Sequence, residues 1–238
     1  MSTPRSNIRA LLPRSLTALA LAAVGFTTSA LAGTYAEVGD AGQLQGTAQP
    51  TVGSGSSLTD IFGSISNVHD VDLYLINITS FAAFSASTVN SGTDALLDTQ
   101  LFLLTTSGKA VCANDNALGG FQSVLGAGSC GSSLGNGQYL LGIGSGLYDP
   151  VDANNVLLFA QNNGLETVRG PNSTFALAGY TDNQAFDPNF GAYDIKLTGA
   201  AAVSAVPEPA TVALMLGGLA VCGLAASRRQ RSSTKTSV

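Results

Sequence analysis

The side chains of this chain best suited to chemistry are oxygen donors. Asp70, Asp72, Asp94, Asp98, Asn114 and Asp115 lie within one central stretch, and a hard divalent cation such as calcium is held by several such oxygens. Asp70 and Asp72 share one face of a strand at period two, while Asp94, Asp98, Asn114, Asp115 and Asn116 fall in turns. No EF-hand accompanies them, because Asp70-x-Asp72 lacks the third ligand and the glycine at the required spacing. Asn and Asp also build turns unaided, so a calcium site and a set of turn residues stand as alternatives. Hydrolytic chemistry has less to work with. A Ser-His-Asp triad would have to use His69, the single histidine. The nearest approach to a nucleophile elbow, Ala127-Gly128-Ser129-Cys130-Gly131, begins on Ala instead of Gly. Carboxylates are plentiful, but no spacing singles out a catalytic pair, and no glycine-rich phosphate loop precedes a helix. The expectation is a protein that is not an enzyme, with no cofactor except possible calcium.

Cys112 and Cys130 are the only cysteines outside the C-terminal apolar run, which holds Cys222. An even pair in an oxidising compartment reads as a disulfide, which for a loop of this size stabilises by roughly 3 kcal/mol. Two thiols and one histidine cannot complete a structural zinc site. Over 33–205 the basic residues are Lys109, Arg169 and Lys196 against fourteen acids, a net of −11. Such a surface repels nucleic acid and anionic membranes, and suits either cation binding or solubility outside the cell. A sugar site would want aromatic platforms. The chain has no Trp, and Tyr148, Tyr180 and Phe186 in the loops are weak substitutes.

The elements that must position these residues are strands. Helical periodicity is almost absent from 33–205, where short apolar or alternating runs are broken by Gly, Asn, Asp and Ser. The run 70–78 alternates Val71, Leu73, Leu75 and Asn77 against Asp72, Tyr74, Ile76 and Ile78, apolar enough on both faces for a central strand. Further strands are expected at 81–89, 99–105, 110–113, 139–143, 157–160, 174–178 and 193–197. This pattern predicts an all-β fold, a β-sandwich or jelly roll, over 33–199. The Gly-, Ser-, Thr- and Gln-rich stretch 41–57 reads either as an exposed strand with loops or as a flexible lead-in. Residues 200–205 read as a spacer.

Both ends carry addresses. Arg5, Arg9 and Arg14 precede an apolar stretch at 16–26, and Ala30-Leu31-Ala32 gives the small-x-small pattern of a signal peptidase site. Residues 1–32 are therefore expected to be a signal peptide, with the mature chain starting at Gly33. At the other end, Val206, Pro207, Glu208 and Pro209 lead into an uncharged apolar run at 210–226, followed by Arg228, Arg229 and Arg231. Such a run would form one transmembrane helix of roughly 25 Å, at the short end of what spans a bilayer. The basic tail at 228–231 would stay cytoplasmic and leave the preceding domain outside. These three parts, in this order over 206–238, resemble the PEP-CTERM sorting signal. That resemblance implies recognition and cleavage near Pro-Glu-Pro by the membrane transpeptidase-like exosortase. It implies delivery to the cell surface or the extracellular polysaccharide matrix of a Gram-negative, biofilm-forming bacterium.

The centre of the chain has a looser likeness. Asp70-x-Asp72-x-Tyr74, the hairpin around Ser107-Gly108, the turn Asn114-Asp115 and Gly137-Gln138-Tyr139 are similar to the bacterial pre-peptidase C-terminal (PPC-like) β-sandwich. The likeness spans about 67–144, and its closing motif recurs at Gly191-Ala192-Tyr193. It implies a non-catalytic accessory or binding domain, sometimes associated with calcium. The sequence therefore reads as an exported, non-enzymatic surface or matrix protein, with a calcium- or glycan-binding module as the alternative.

Overall fold

A computed structural model of the chain describes residues 33–53, 57–117, 119–131, 135–160, 167–182 and 190–204. Its strands, in order, are β1 (Gly33–Ala36), β2 (Gln49–Pro50), β3 (Val52–Gly53), β4 (Leu58–Ile65), β5 (Val71–Ile78), β6 (Ser85–Ser87), β7 (Thr99–Thr105), β8 (Ala110–Asn114), β9 (Val124–Gly126), β10 (Gly137–Ser145), β11 (Tyr148–Val151), β12 (Gly179–Asp182), β13 (Gly191–Thr198), β14 (Ala200–Ala201) and β15 (Val203–Ser204). One sheet runs β1-β4-β13-β6-β9, and the other runs β14-β5-β10-β7-β8 with β2 also against β5. The two pack face to face, as the all-β reading expects.

The alternation in β5 shows why the six-stranded sheet sits in the middle. Tyr74, Ile76 and Ile78 enter the core between the sheets, with Ile61, Leu101, Leu141, Tyr193 and Ile195. Val71 and Leu73 point the other way, into a second core with Phe102, Leu104, Leu140, Leu158, Phe159 and Leu177. Burying each of these large side chains contributes roughly 1.5–3 kcal/mol. A sheet covered on both faces needs apolar residues on both, which is what 70–78 supplies. In the second core Phe102 lies flat on the backbone of its cross-strand partner Gly142, where any Cβ would collide with the ring.

The second core also explains two departures from the sequence reading. Residues 157–160 and 174–178 are not strands. They make only single bridges, Val151↔Leu157, Phe159↔Pro171 and Lys109↔Ala176, while the true ladder forms between β11 and β12. Their apolar side chains cover a sheet face and do not extend a sheet. The expected strand at 81–89 splits into a short 3-10 turn at Phe81–Ala83, which buries Phe81, and the three residues of β6. The sequence reading missed β4, because Thr59, Asp60, Gly63 and Ser64 dilute its alternation, and it missed the short β1, β9 and β11.

Residues 200–204 are not a spacer. β14 pairs with the end of β5 (Ala200↔Ile78, Ala201↔Asn77), and β15 pairs in parallel with β3 (Val203↔Val52). Ala200, Ala201, Ala202 and Val203 are all buried. Small residues look like linker in a sequence, but here they let the chain pass close under the β5 edge. The Gly/Ser-rich stretch before them supplies β2 and β3, which cover the same edge. Cys112 on β8 and Cys130 beyond β9 form the expected disulfide, buried in the inter-sheet core. No helix among the described residues is long and apolar enough to cross a membrane. The leader 1–32 and the run 210–226 lie outside the described residues.

Integration of the last strands has a measurable consequence. Ala201→Asp places a charge in a buried edge position and is expected to lower stability by about 3 kcal/mol or more in chemical unfolding. A true spacer would accept the same change without loss.

Candidate functional site

Between the sheets, at the end where β4 turns into β5, a polar thread crosses the apolar core. Asp72 and Tyr74 lie on the inward face of β5, and both are fully buried. Tyr193 comes from β13 on the opposite sheet, where its cross-strand partner is Gly63. A Cβ at Gly63 would strike the Tyr193 hydroxyl, so the missing side chain makes room for it. The Tyr193 hydroxyl donates to Asp72 Oδ2 at 2.6 Å and lies 2.5 Å from the Tyr74 hydroxyl. Because Tyr193 has one proton and gives it to the carboxylate, Tyr74 is the donor to Tyr193. Asp72 Oδ1 is buried and has no hydrogen-bond partner.

The loop after β1 brings two more carboxylates to the same place. Glu37 Oε1 accepts from the Ala41 amide at 2.9 Å, and Oε2 accepts from the Ser64 amide at 3.0 Å. Between them Gly39 takes φ +74°, the left-handed turn that returns Asp40 towards Glu37. Gln49 holds the loop from outside, accepting from the Tyr35 hydroxyl and the Val38 amide and donating to the Val38 carbonyl. One oxygen each from Glu37, Asp40 and Asp72 then lies within 4.8 Å of the others, with Asp40 exposed, Glu37 half-buried and Asp72 buried. This is the carboxylate group among the described residues whose spacing could hold a metal ion.

Burial is the main reason the Asp72 carboxyl is pushed up to about 8, with Glu37, Asp70 and Asp40 adding repulsion and the Tyr193 hydrogen bond opposing it. Burial likewise raises Tyr74 and Tyr193 above the ordinary tyrosine value, so both stay neutral donors. Since Oδ2 is taken by Tyr193, Oδ1 is the place for the Asp72 proton.

Of the six oxygen donors singled out in the sequence, all lie towards this end of the sandwich, but only Asp72 joins that carboxylate group. Asp70 Oδ2 accepts from the Ser66 amide and closes the β4–β5 turn. Asp94 Oδ1 accepts from the Leu96 amide. Asn114 Oδ1 accepts from Val124 and its amide donates to the Asn116 carbonyl, fixing the β8–β9 loop. Asp115 belongs to a second polar group with buried Arg169, whose guanidinium stands 3.8 Å from Asp149, and Asp98 lies near Asp115 beside Gly146. There Gln100 donates to Asp149 at 2.9 Å, and the Asp115 carboxyl is pushed up to about 6, by burial first and by Asp149, with Arg169 opposing. Turn and loop hydrogen bonds thus absorb Asp70, Asp94 and Asn114, and Asp115 lies in the field of Arg169.

Glu37 and Asp40 were not singled out from the sequence. Their signal, two carboxylates flanking a glycine turn, is brief, and it gains meaning only when β1 is seen to lie beside β4. His69 lies 3.0 Å from Asp182 and packs edge-on against Tyr148. Tyr148 and Tyr180 stack on each other at 5.2 Å over the second core, so they are not free platforms. Phe186 lies outside the described residues.

The Asp72 shift fixes a sign. A carboxyl that titrates near 8 in the fold and near 3.9 unfolded binds its proton more tightly in the native state. Its contribution to stability is full below about pH 4 and is lost as pH rises through 8. In chelator, thermal unfolding of the chain should therefore show stability falling over that window by a few kcal/mol more than in Asp72→Asn. Equal slopes in the two proteins would contradict the assignment.

Residues 205–230 match the family model of the PEP-CTERM protein-sorting motif. Comparison with curated proteins and with solved structures finds no match for the chain. The matched segment follows directly on β15. Its presence marks this chain as an exported protein that an exosortase sorts to the cell surface.

Proposed function

We propose that this is a non-enzymatic surface or matrix protein, whose folded part is the β-sandwich and whose ends are discarded during export. In this reading signal peptidase cuts after Ala32, the helix at 210–226 holds the chain in the membrane for a time, and exosortase cuts near Val206-Pro207-Glu208-Pro209. The sandwich then remains at the cell surface or among extracellular polysaccharide. One observation carries the reading. The sorting motif begins at residue 205, and the last strand of the sandwich ends at Ser204. Every described strand thus ends before the motif starts. At the other end β1 begins at Gly33, so cleavage after Ala32 would leave the sheet intact.

His69, the single histidine, is taken in this reading as a surface residue. It is largely exposed and is held by Asp182 and Tyr148. The likeness to PPC-like domains belongs to the same reading. It is supported by the pairing of the Asp70-x-Asp72-x-Tyr74 strand with the Gly137-Gln138-Tyr139 strand as neighbours in one sheet.

The route is tested by fractionating cells that carry an epitope-tagged chain, with and without the exosortase gene. The expected result is a processed surface form that disappears in the deletion strain, replaced by a longer form in the inner membrane. Pro207→Ala with Glu208→Ala should give the same longer form in otherwise normal cells. Unchanged surface display in both cases would contradict the proposal.

A further inference from the structure

We propose that β14 and β15 act as a clasp on the sorting signal: the bond that exosortase cuts becomes available only when 200–204 lifts off β5 and β3. The inference rests on the exosortase reading above and adds to it the condition under which cleavage occurs. The clasp reaches the edge of the signal. β15 is Val203–Ser204, and the matched motif begins at residue 205. Only Ala205 and Val206 separate Ser204 from Pro207. An enzyme that cuts a chain holds the residues flanking the bond in extended form, with main-chain hydrogen bonds and side-chain pockets of its own. Here the upstream flank is already taken. The Val203 amide donates to the Thr51 carbonyl at 2.9 Å, and Val203 and Ser204 are in register with Val52 and Gly53. Val203 and the three alanines before it are buried. These backbone groups cannot serve the sheet and the enzyme together.

Reach points the same way. From Ser204 to Ala210, where the apolar run starts, the chain extends no more than about 22 Å. With about 6 Å of that inside the headgroup layer, the closed sandwich is held within about 16 Å of the bilayer surface. That gap is narrower than a small domain, which is about 30 Å across. Releasing 200–204 adds about 17 Å of chain and nearly doubles the tether. The movement that frees the upstream flank therefore also makes room for a membrane-bound enzyme.

The fold confines that movement to the last strands. β13 lies in one sheet and β14 in the other, and the chain crosses between them at Gly199. There φ is +66°, and a Cβ would strike the Ser80 carbonyl. The Gly199 carbonyl accepts from the Thr79 and Ser80 amides at 2.8 and 3.1 Å, so the pivot is pinned. On the other side β2 stays on β5, where Thr51 holds the Leu75 carbonyl with both its amide and its hydroxyl. Lifting 200–204 leaves β13 on β4, and β5 between β2 and β10. The side chains released are three alanines, a valine and a serine, which bury less apolar surface than the leucines and isoleucines of the core. The clasp thus opens as a local event, short of unfolding the domain.

The test is a pulse–chase of the epitope-tagged full-length chain in cells that carry exosortase, reading the half-time for conversion of the longer membrane form to the processed form. Two variants free the flank by different means. One inserts a Gly/Ser spacer of about eight residues between Ser204 and Ala205. The other, Val203→Pro, deletes the amide that bonds Thr51 and lies outside the matched motif. Cooperative unfolding retained in purified Val203→Pro separates a loosened clasp from a lost fold. Each variant should shorten the half-time by about tenfold or more, and the two combined should gain nothing over either alone. Half-times unchanged in both variants overturn the clasp and leave the exosortase route standing. Acceleration by the spacer alone, with Val203→Pro at the wild-type rate, also overturns it, because the delay would then lie in distance from the membrane. A longer form that persists in every chain overturns the clasp and the route together.

Discussion

A single buried carboxylate organises the end of this sandwich. Asp72 sits where two apolar sheets meet, and the Tyr193 hydroxyl reaches it from the facing strand. A polar group in such a place is tolerated only when its hydrogen bonds are made, so the contact constrains everything around it. Tyr193 must project inward at the level of Gly63, which fixes the register of β13 on β4. Asp72 must face the same core as Tyr74 and Ile76, which fixes the face of β5. A one-residue slip of either strand would send Asp72 or Tyr193 to the wrong side. The apolar core alone would be more forgiving of such a slip than this pair.

The same end of the molecule gathers several of the described acidic side chains, and the fold handles its carboxylates in different ways. Some close turns through their own neighbouring amides, as Asp70 and Asp94 do. Some are matched to the scarce cations, as Asp149 is to Arg169 and as Asp60 and Asp194 are to Lys196. Glu37 also accepts from the Ala41 and Ser64 amides, but it, Asp40 and Asp72 face one another, and 33–205 holds only three basic residues with which to neutralise them. At the opposite end of the chain order, β14 and β15 seal the β5 edge before the sorting motif begins. An edge strand left bare would invite pairing with another chain, and outside the cell this domain would meet many copies of itself.

Much of this could be read in the residues. The double-faced alternation of 70–78, the run at 99–105 and the strand around 139–143 named the central sheet, because a strand buried on both sides leaves a strong mark. The paired cysteines and the C-terminal motif were also plain. What could not be read depended on partners distant in sequence. The apolar runs at 157–160 and 174–178 cover a sheet instead of joining one, and no local pattern separates those outcomes. The alanines at 200–202 look like linker until the β5 edge is there to receive them. The six acidic and amide residues had the right chemistry for a cation, but Asp70, Asp94 and Asn114 are consumed by turns and loops. Glu37 and Asp40 reach Asp72 only because a four-residue parallel strand, too short to recognise, lies beside β4.

The account rests on the ionisation of Asp72, and the direct measurement is a carbon-13 NMR titration of aspartate side-chain carboxyls in the purified, chelator-treated chain, with Asp72→Asn to assign the resonance. The account predicts a carboxyl that remains protonated through neutral pH and titrates near 8. An Asp72 carboxyl that titrates near the ordinary aspartate value of about 3.9 without any cation would contradict the account at its centre.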